Sequence, residues 1–584
     1  MVMLRNSVAR LAAALTLVGT ALTTSVSAET LMMPNRQMLK NAQEVVWGVT
    51  TLANGTGYTI DFGDGTNAAG NVVDRSYIAF TKTYAAAGVY TATLTVGAEV
   101  ATVTIEVFDG GLLTPAELRG LNRNRAIQSG LRYLWTTQTN RAANFPAGVS
   151  TSWPGSFTPS ATALVVSAFQ NHGYRVPNSD VAPTGLFEKY VVRRGLNFIL
   201  QSISALVIGA QPAGNPCVGL TTDVCTAYQL SGDSAYQTPL ALIAFAGSGA
   251  FNRTNTEAGG VSAGKSYLEI MQRLTNAVSW GQIDQGVGRG GWYYNLNQQA
   301  SSDGSTIGWV LLGLLDAEAA GVVVPAFVKT EFATVLNNSH NTNGSLDYQS
   351  DGNPASLSAV GIEKGGIPLQ GLFFLDETYP FAAGSRAEAT LTYIRDRWTS
   401  GRLGGDNNWN CSANASPIAN VSQHNFGCGY SMFNIFKGLG LYGIGSLPTV
   451  GDWYAQYQDW LVANQTTPGT TAGGNWTNMR FSCCETSQSM IAVVLIQPDP
   501  ERFARVGLSP VTATNPVGTS HTVTATAESF TGAPVPGVTI TFRVMTGPNT
   551  GKNGSGVTNA QGQTTFQYTD TAGPGVDTIQ AFIG

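Results

Sequence analysis

Charge is scarce in this sequence. Lys and Arg number 31 and Asp and Glu 36 among 584 residues, for a formal net charge of −5. No basic stripe breaks that balance. An acidic chain has no electrostatic hold on a phosphate backbone, which excludes nucleic acid as a partner. Histidine is scarcer still, with His172, His340, His424 and His521 the only four. None has the neighbouring Cys, His or carboxylate spacing of a metal site, so neither metal nor cofactor is expected. Long apolar runs are missing as well. The most apolar stretch, around Trp309, is interrupted by Asp316 and Glu318. A membrane-spanning helix needs about 20 apolar residues, so no span is expected.

What is present points outside the cell. Arg5 and Arg10 are the only charges before Glu29, and they flank and precede an apolar run from Leu11 to Leu22. Val26-Ser27-Ala28 closes the segment with small residues. This is the order of a secretory signal peptide, with cleavage expected after Ala28. Glycine is abundant, at 68 residues, as in secreted β-rich modules and long surface loops. Six cysteines in an exported chain suggest disulfides.

The chain then divides by pattern. From about 40 to 108 apolar and polar residues alternate, as in Tyr90-Thr-Ala-Thr-Leu-Thr-Val96, which predicts strands with one buried face. Asp61-Phe-Gly-Asp-Gly-Thr66, then Tyr84, Gly88 and Tyr90, resembles the PKD (polycystic kidney disease) repeat over residues 36–108. That resemblance implies an immunoglobulin-like sandwich serving as spacer or adhesive accessory. Asp61 and Asp64 either cap a turn or bind a cation. Residues 507–584 alternate again. Gly532-Ala-Pro-Val-Pro-Gly-Val-Thr-Ile-Thr-Phe542 with Thr558-Asn-Ala-Gln-Gly562 resembles the bacterial immunoglobulin-like domain of the Big-1, invasin/intimin type. The sequence stops in or just after a strand, so the module is expected to be a truncated or minimal copy.

Between them, residues 115–500 carry helical periodicity in pairs. Six amphipathic patterns, from Arg125–Gln138 to Asp452–Gln465, alternate with six nearly uncharged ones, from Ala161–Asn171 to Thr486–Ile496. A helix apolar all round sits inside, and paired helices at a regular period stack to bury a continuous core. Six pairs predict a closed (α/α)6 toroid, with an open superhelix as the alternative. The expected fold class is therefore a central all-α toroid flanked by two all-β sandwiches. Gly290-Gly-Trp-Tyr-Tyr294 followed by Ser302-Asp-Gly-Ser-Thr-Ile-Gly-Trp309 resembles the repeat of squalene–hopene cyclases and protein prenyltransferase β subunits. Gly473-Gly-Asn-Trp476 with Glu485-Thr-Ser-Gln-Ser489 is similar, and Gly404-Gly-Asp-Asn-Asn-Trp409 is a partial copy. The family's chemistry does not carry over. The cyclases' Asp-x-Asp-Asp run is missing, Asp223-Val-Cys225 has no histidine partner for zinc, and Gly427-Cys-Gly-Tyr430 lacks the glutamine of a complement-type thioester.

The long connections precede the apolar helices and gather on the face holding their N-termini, which favours anionic or hydroxyl-rich ligands. All six cysteines fall there: Cys217, Cys225, Cys411, Cys428, Cys483 and Cys484. The simplest pairing joins Cys217 to Cys225, with the other connections open. Trp153, Trp292, Tyr293, Tyr294, Trp409 and Trp476 offer flat faces for sugar rings, or else brace neighbouring helices. Asp303 and Glu485 precede apolar helices at equivalent positions, as caps or as paired carboxylates of a glycosidase. Further acids in these loops are Asp223, Asp233, Asp347, Asp351, Glu363 and Asp406. His424 is a candidate base. The expected function is binding of an extracellular or surface polymer, above all a polysaccharide. The alternatives are a glycoside hydrolase or lyase acting on that polymer, with Asp303, Glu485 and His424 as catalytic residues, and a structural or adhesive surface protein without catalysis.

Overall fold

The computed structural model describes residues 29–33, 37–113, 115–155, 157–178, 185–218, 224–357, 359–399, 425–479, 485–496, 505–528 and 534–583. The expected signal peptide, residues 1–28, lies outside these.

The alternating N-terminal stretch forms β1 (Thr30–Met33), β2 (Gln37–Leu39), β3 (Gln43–Thr50), β4 (Gly57–Asp61), β5 (Asn67–Asn71), β6 (Ile78–Thr83), β7 (Gly88–Val96) and β8 (Glu99–Phe108). They build one sheet in the order β1-β3-β6 and another in the order β2-β8-β7-β4-β5. All pairings are antiparallel except β2 with β8. Val46, Ile60, Leu94 and Ile105 are buried between the sheets. The Asp-Gly segment turns the chain from β4 to β5. Asp61 Oδ1 accepts from Gly63 N at 2.8 Å, and Asp64 Oδ1 from Thr66 N at 3.2 Å. Lys82 Nζ lies 2.6 Å from Asp64 Oδ2 and 4.8 Å from the Phe62 and Tyr84 ring centres. Both carboxylates thus serve the turn, and a lysine ammonium occupies the neighbourhood a cation would need.

The middle of the chain holds α1 (Pro115–Thr136), α2 (Arg141–Asn144), α3 (Thr158–Asn171), α4 (Arg193–Ser202), β9 (Ile203–Ile208), β10 (Cys225–Leu230), α5 (Ser234–Ser248), α6 (Tyr267–Trp280), α7 (Gly304–Ala319), α8 (Ala326–Ser339), α9 (Ile367–Phe374), α10 (Arg386–Asp396), α11 (Gly429–Leu441), β11 (Ser446–Leu447), β12 (Gly451–Asp452), α12 (Trp453–Ala463) and α13 (Glu485–Leu495). The apolar helices pack on one another, α3 on α5, α5 on α7, α7 on α9, α9 on α11, and α13 on both α11 and α3.

The expected fold class requires correction. In place of an all-α toroid between two separate sandwiches, the chain is mixed α and β. The described residues hold 13 α-helices and 18 strands in six small sheets, two of them inside the helical stretch. One reason is local. The helix expected over Lys189–Ser204 ends at Ser202, because Ile203–Ile208, with β-branched Ile203, Val207 and Ile208, pairs as a strand with β10. A second reason is tertiary. The residues of β3 after Gln43 are buried on both faces. Val46 faces the sandwich, while Val45, Trp47 and Val49 join the core formed by the helices. Burying each such valine contributes about 1.5–3 kcal/mol, which ties the sheet to the helices.

Polar contacts follow the same seam. Trp135 Nε1 donates to Ser76 O at 2.9 Å, and Arg141 pairs with Asp74 at 2.9 Å. Buried Arg132 donates to Pro468 O and Gly473 O at 3.0 and 2.9 Å, and to Tyr77 Oη at 3.2 Å.

The last residues form β13 (Arg505–Ser509), β14 (Ser520–Glu528), β15 (Thr539–Thr546), β16 (Asn553–Val557), β17 (Gln563–Thr569) and β18 (Thr578–Ile583). Their sheets, β13-β14-β17 and β16-β15-β18, enclose a core of their own around Ala525, Ile540, Phe542 and Phe566.

Candidate functional site

The Gly-Gly motifs explain themselves first. Gly290 and Gly474, each two residues before a tryptophan, have φ of +86° and +108°. A Cβ on Gly290 would meet Glu331 O of α8 at 1.9 Å, and one on Gly474 would meet Ser129 O of α1 at 2.3 Å. Only glycine allows that conformation and that approach. The tryptophans after them turn inward. Trp292 Nε1 donates to Val278 O at 2.9 Å and Trp476 Nε1 to Leu461 O at 2.7 Å, each carbonyl near the end of the preceding amphipathic helix. Trp153 does the same with Leu134 O at 2.7 Å. All three are fully buried, so they brace the helices and present no face to a ligand. Trp409 and His424 lie outside the described residues, as does the side chain of Glu485, whose backbone opens α13.

Tyr294 is placed differently. Ala235 N donates to Tyr294 O at 3.0 Å, and Leu296 N to Ser234 Oγ at 3.0 Å, laying this loop on the start of α5. Gly304 N donates to Tyr348 O at 2.7 Å and Asp303 pairs with Gln349, laying the next loop on the start of α7. These returns bring together four half-buried tyrosines. The Tyr236 and Tyr294 rings stack at 5.8 Å, Tyr293 and Tyr294 lie 4.4 Å apart, and Tyr294 Oη shares a hydrogen bond of 2.5 Å with Tyr348 Oη. Tyr430, fully buried at the start of α11, donates to Ser305 O at 3.2 Å.

Asp303 sits beneath this surface, fully buried. Its Oδ1 caps α7, accepting from Ser305 N and Thr306 N at 2.9 and 3.0 Å. The Ser305 hydroxyl bonds both Asp303 Oδ1 and the Tyr236 hydroxyl. Asp303 Oδ2 has no hydrogen-bond partner among the described residues. Burial lifts the Tyr236 and Tyr430 phenols well above the ordinary tyrosine range, and the Asp303 carboxylate adds to the effect. Tyr294 and Tyr348 are raised for the same reasons. These hydroxyls therefore stay protonated near neutral pH and act as donors, not as phenolate bases. Around them, Asp347 is buried and accepts from Asn341 Nδ2 at 2.7 Å. Glu363 and Lys364 are buried just ahead of α9, with Lys364 Nζ 5.8 Å from the Tyr348 ring centre. Asp351 caps its own exposed turn, and Asp233 precedes α5 in a left-handed conformation. Asp223 and Asp406 lie outside the described residues.

Tyr236 and Tyr348 carry no motif, and neither is visible as a site residue in the sequence. No spacing links positions 236, 294, 348 and 430, which meet only because two loops fold back onto helix starts. The cysteines divide likewise. Cys217 and Cys225 form a disulfide, which ties β10 to the loop after β9. Cys428 is disulfide-bonded too, while Cys411, Cys483 and Cys484 lie outside the described residues. No family model and no curated protein matches the chain.

Proposed function

We propose that this is an exported or surface-attached protein whose helical region binds an extracellular polymer, above all a polysaccharide, over Tyr236, Tyr293, Tyr294 and Tyr348. The observation that carries this reading is the contact between these half-buried rings, with hydroxyls held as donors at their edge. A tyrosine offers an apolar face and a polar tip, the two things a sugar ring with its equatorial hydroxyls complements. Export is supported by the leader-like start and by the Cys217–Cys225 disulfide. The PKD-like and Big-1-like segments are read as accessory modules presenting that surface.

Retention of the full chain on immobilised neutral and uronic-acid polysaccharides tests the reading. Tyr294→Ala and Tyr348→Ala should each weaken retention about tenfold, which corresponds to about 1.4 kcal/mol. Undiminished retention in both variants, with the fold intact, would move the site elsewhere. One observation favours a second reading, hydrolysis or elimination on the same polymer. Asp303 Oδ2 is buried beside protonated phenols without a partner, a placement open to proton transfer. New reducing ends or unsaturated products, lost in Asp303→Asn, would establish it. Asparagine still caps a helix, so the variant separates chemistry from folding. Neither retention nor cleavage would leave a structural or adhesive surface protein.

A further inference from the structure

At the opposite ends of the apolar helices lies a cavity of about 270 Å³. Its walls include Leu164 of α3, Ile243 of α5, Leu312 of α7, Phe433 of α11 and Val494 of α13, together with Phe251. Two opposite charges face it, Asp316 near the end of α7 and Lys437 near the end of α11. Neither side chain reaches a hydrogen-bond or ion-pair partner among the described residues. Lys437 Nζ lies 5.5 and 5.6 Å from the Phe433 and Phe436 ring centres. Gln170 also lines the cavity. It is 1% exposed, and it spends its Nε2 on Ala244 O at 3.0 Å, which leaves Oε1 without a partner. A carboxylate, an ammonium and an unpartnered amide oxygen thus border one largely apolar space.

We propose that this cavity is a second binding site, separate from the tyrosine surface, for a small zwitterion with an apolar body, of the size and chemistry of an apolar amino acid. The ligand's carboxylate meets Lys437, its ammonium meets Asp316 and Gln170 Oε1, and its side chain meets the apolar wall. Three observations converge on that chemistry. The volume falls just below that of drug-sized pockets, about 300–1,000 Å³. Asp316 and Lys437 are half-buried in the cavity wall, and a ligand bringing both complementary charges pairs with the two together where water is partly excluded. The helix C-termini gathered here carry partial negative charge, which favours an ammonium over a second anion. Burial pushes the Asp316 carboxyl up and the Lys437 ammonium down, each partly opposed by the other.

Calorimetric titration of the full chain with L-phenylalanine, L-phenylalaninamide and 3-phenylpropanoate tests this. The amide lacks the anion and the propanoate lacks the cation. Binding of phenylalanine at least tenfold tighter than both is the expected result. Lys437→Met and Asp316→Asn should each weaken phenylalanine binding at least tenfold without altering polysaccharide retention. Equal binding of all three compounds would overturn the proposal, because the charges would then recognise nothing. Absence of heat with any of them at millimolar concentration would overturn it as well. Should a variant misfold, the three-compound comparison on the unaltered chain still decides between these outcomes.

Discussion

The first and last β regions begin from similar alternating sequence and end in different relations to their surroundings. In β15 the pattern Thr539-Ile-Thr-Phe-Arg-Val544 buries every second residue, and the strand serves a core confined to its own two sheets. In β3, Val45-Val46-Trp47-Gly48-Val49 is buried throughout, and alternate residues serve two different cores. Trp47 packs against Tyr77, Trp135 and Phe187 with ring centres 5.4, 5.5 and 6.1 Å away. The difference teaches that one uninterrupted apolar strand is enough to turn a neighbouring module into part of the body it adjoins. A strand with one solvated face builds a core confined to its own module.

The comparison can be broken by substitution. Trp47→Ala should cost about 3–5 kcal/mol and lower the unfolding transition of the helical region, followed by calorimetry or by hydrogen exchange in α1. Phe542→Ala should cost a similar amount but move a transition belonging to the C-terminal sheets alone. Were the two substitutions to shift one common transition, the two regions would not be thermodynamically distinct. Arg125→Met sharpens the seam. Glu44, 4% exposed, pairs with Arg125, and burial already raises its carboxyl, with Arg125 opposing. Leaving that charge buried and unpaired should cost about 3 kcal/mol at neutral pH, and less in acid as Glu44 takes up a proton.

A pH experiment separates the regions further. His340 is 1% exposed, accepts or donates at Nε2 with Thr390 Oγ1 at 2.8 Å, and is held down to about 3 by burial and then by the Arg386 charge. A folded value below the unfolded one means that the unfolded chain takes the proton first. Its contribution to stability is therefore complete above pH 6.5 and is lost as pH falls toward 3, an effect on the order of several kcal/mol. The helical region should show this acid loss, reduced in His340→Gln, while the C-terminal transition should not respond to that substitution. The smallest effect belongs to the sandwich loop. Asp61→Ala removes one turn hydrogen bond and should cost about 1 kcal/mol, read as a shift in denaturation midpoint.

Secondary structure was more legible in the sequence than the fold class, which the mixed α and β content corrects. The amphipathic patterns and the apolar patterns each correspond to helices, most with ends displaced by a few residues, while α1 begins at Pro115, well ahead of the expected Arg125. Lys189–Ser204 stops at Ser202, where Ile203 begins a strand paired with β10. The site was less legible. Asp303 and Tyr294 were identifiable from the repeat motif, and Trp153, Trp292 and Trp476 from their type, yet aromaticity does not say whether a ring faces a ligand or a neighbouring helix. The hydrogen bonds to Leu134, Val278 and Leu461 decide that.

Taken alone, the sequence determined the helix pairs, the alternating strands, the turn chemistry of Asp61 and Asp64, and the glycines that allow close backbone approach. Each rests on periodicity or on local conformational preference, which act over a few residues. Only the tertiary structure decided that β3 serves two cores, that Tyr236, Tyr294 and Tyr348 share one surface, and that Asp316 and Lys437 face the same cavity. Those juxtapositions join residues tens to more than a hundred positions apart. Burial and loop return create them, and neither leaves a spacing in the chain.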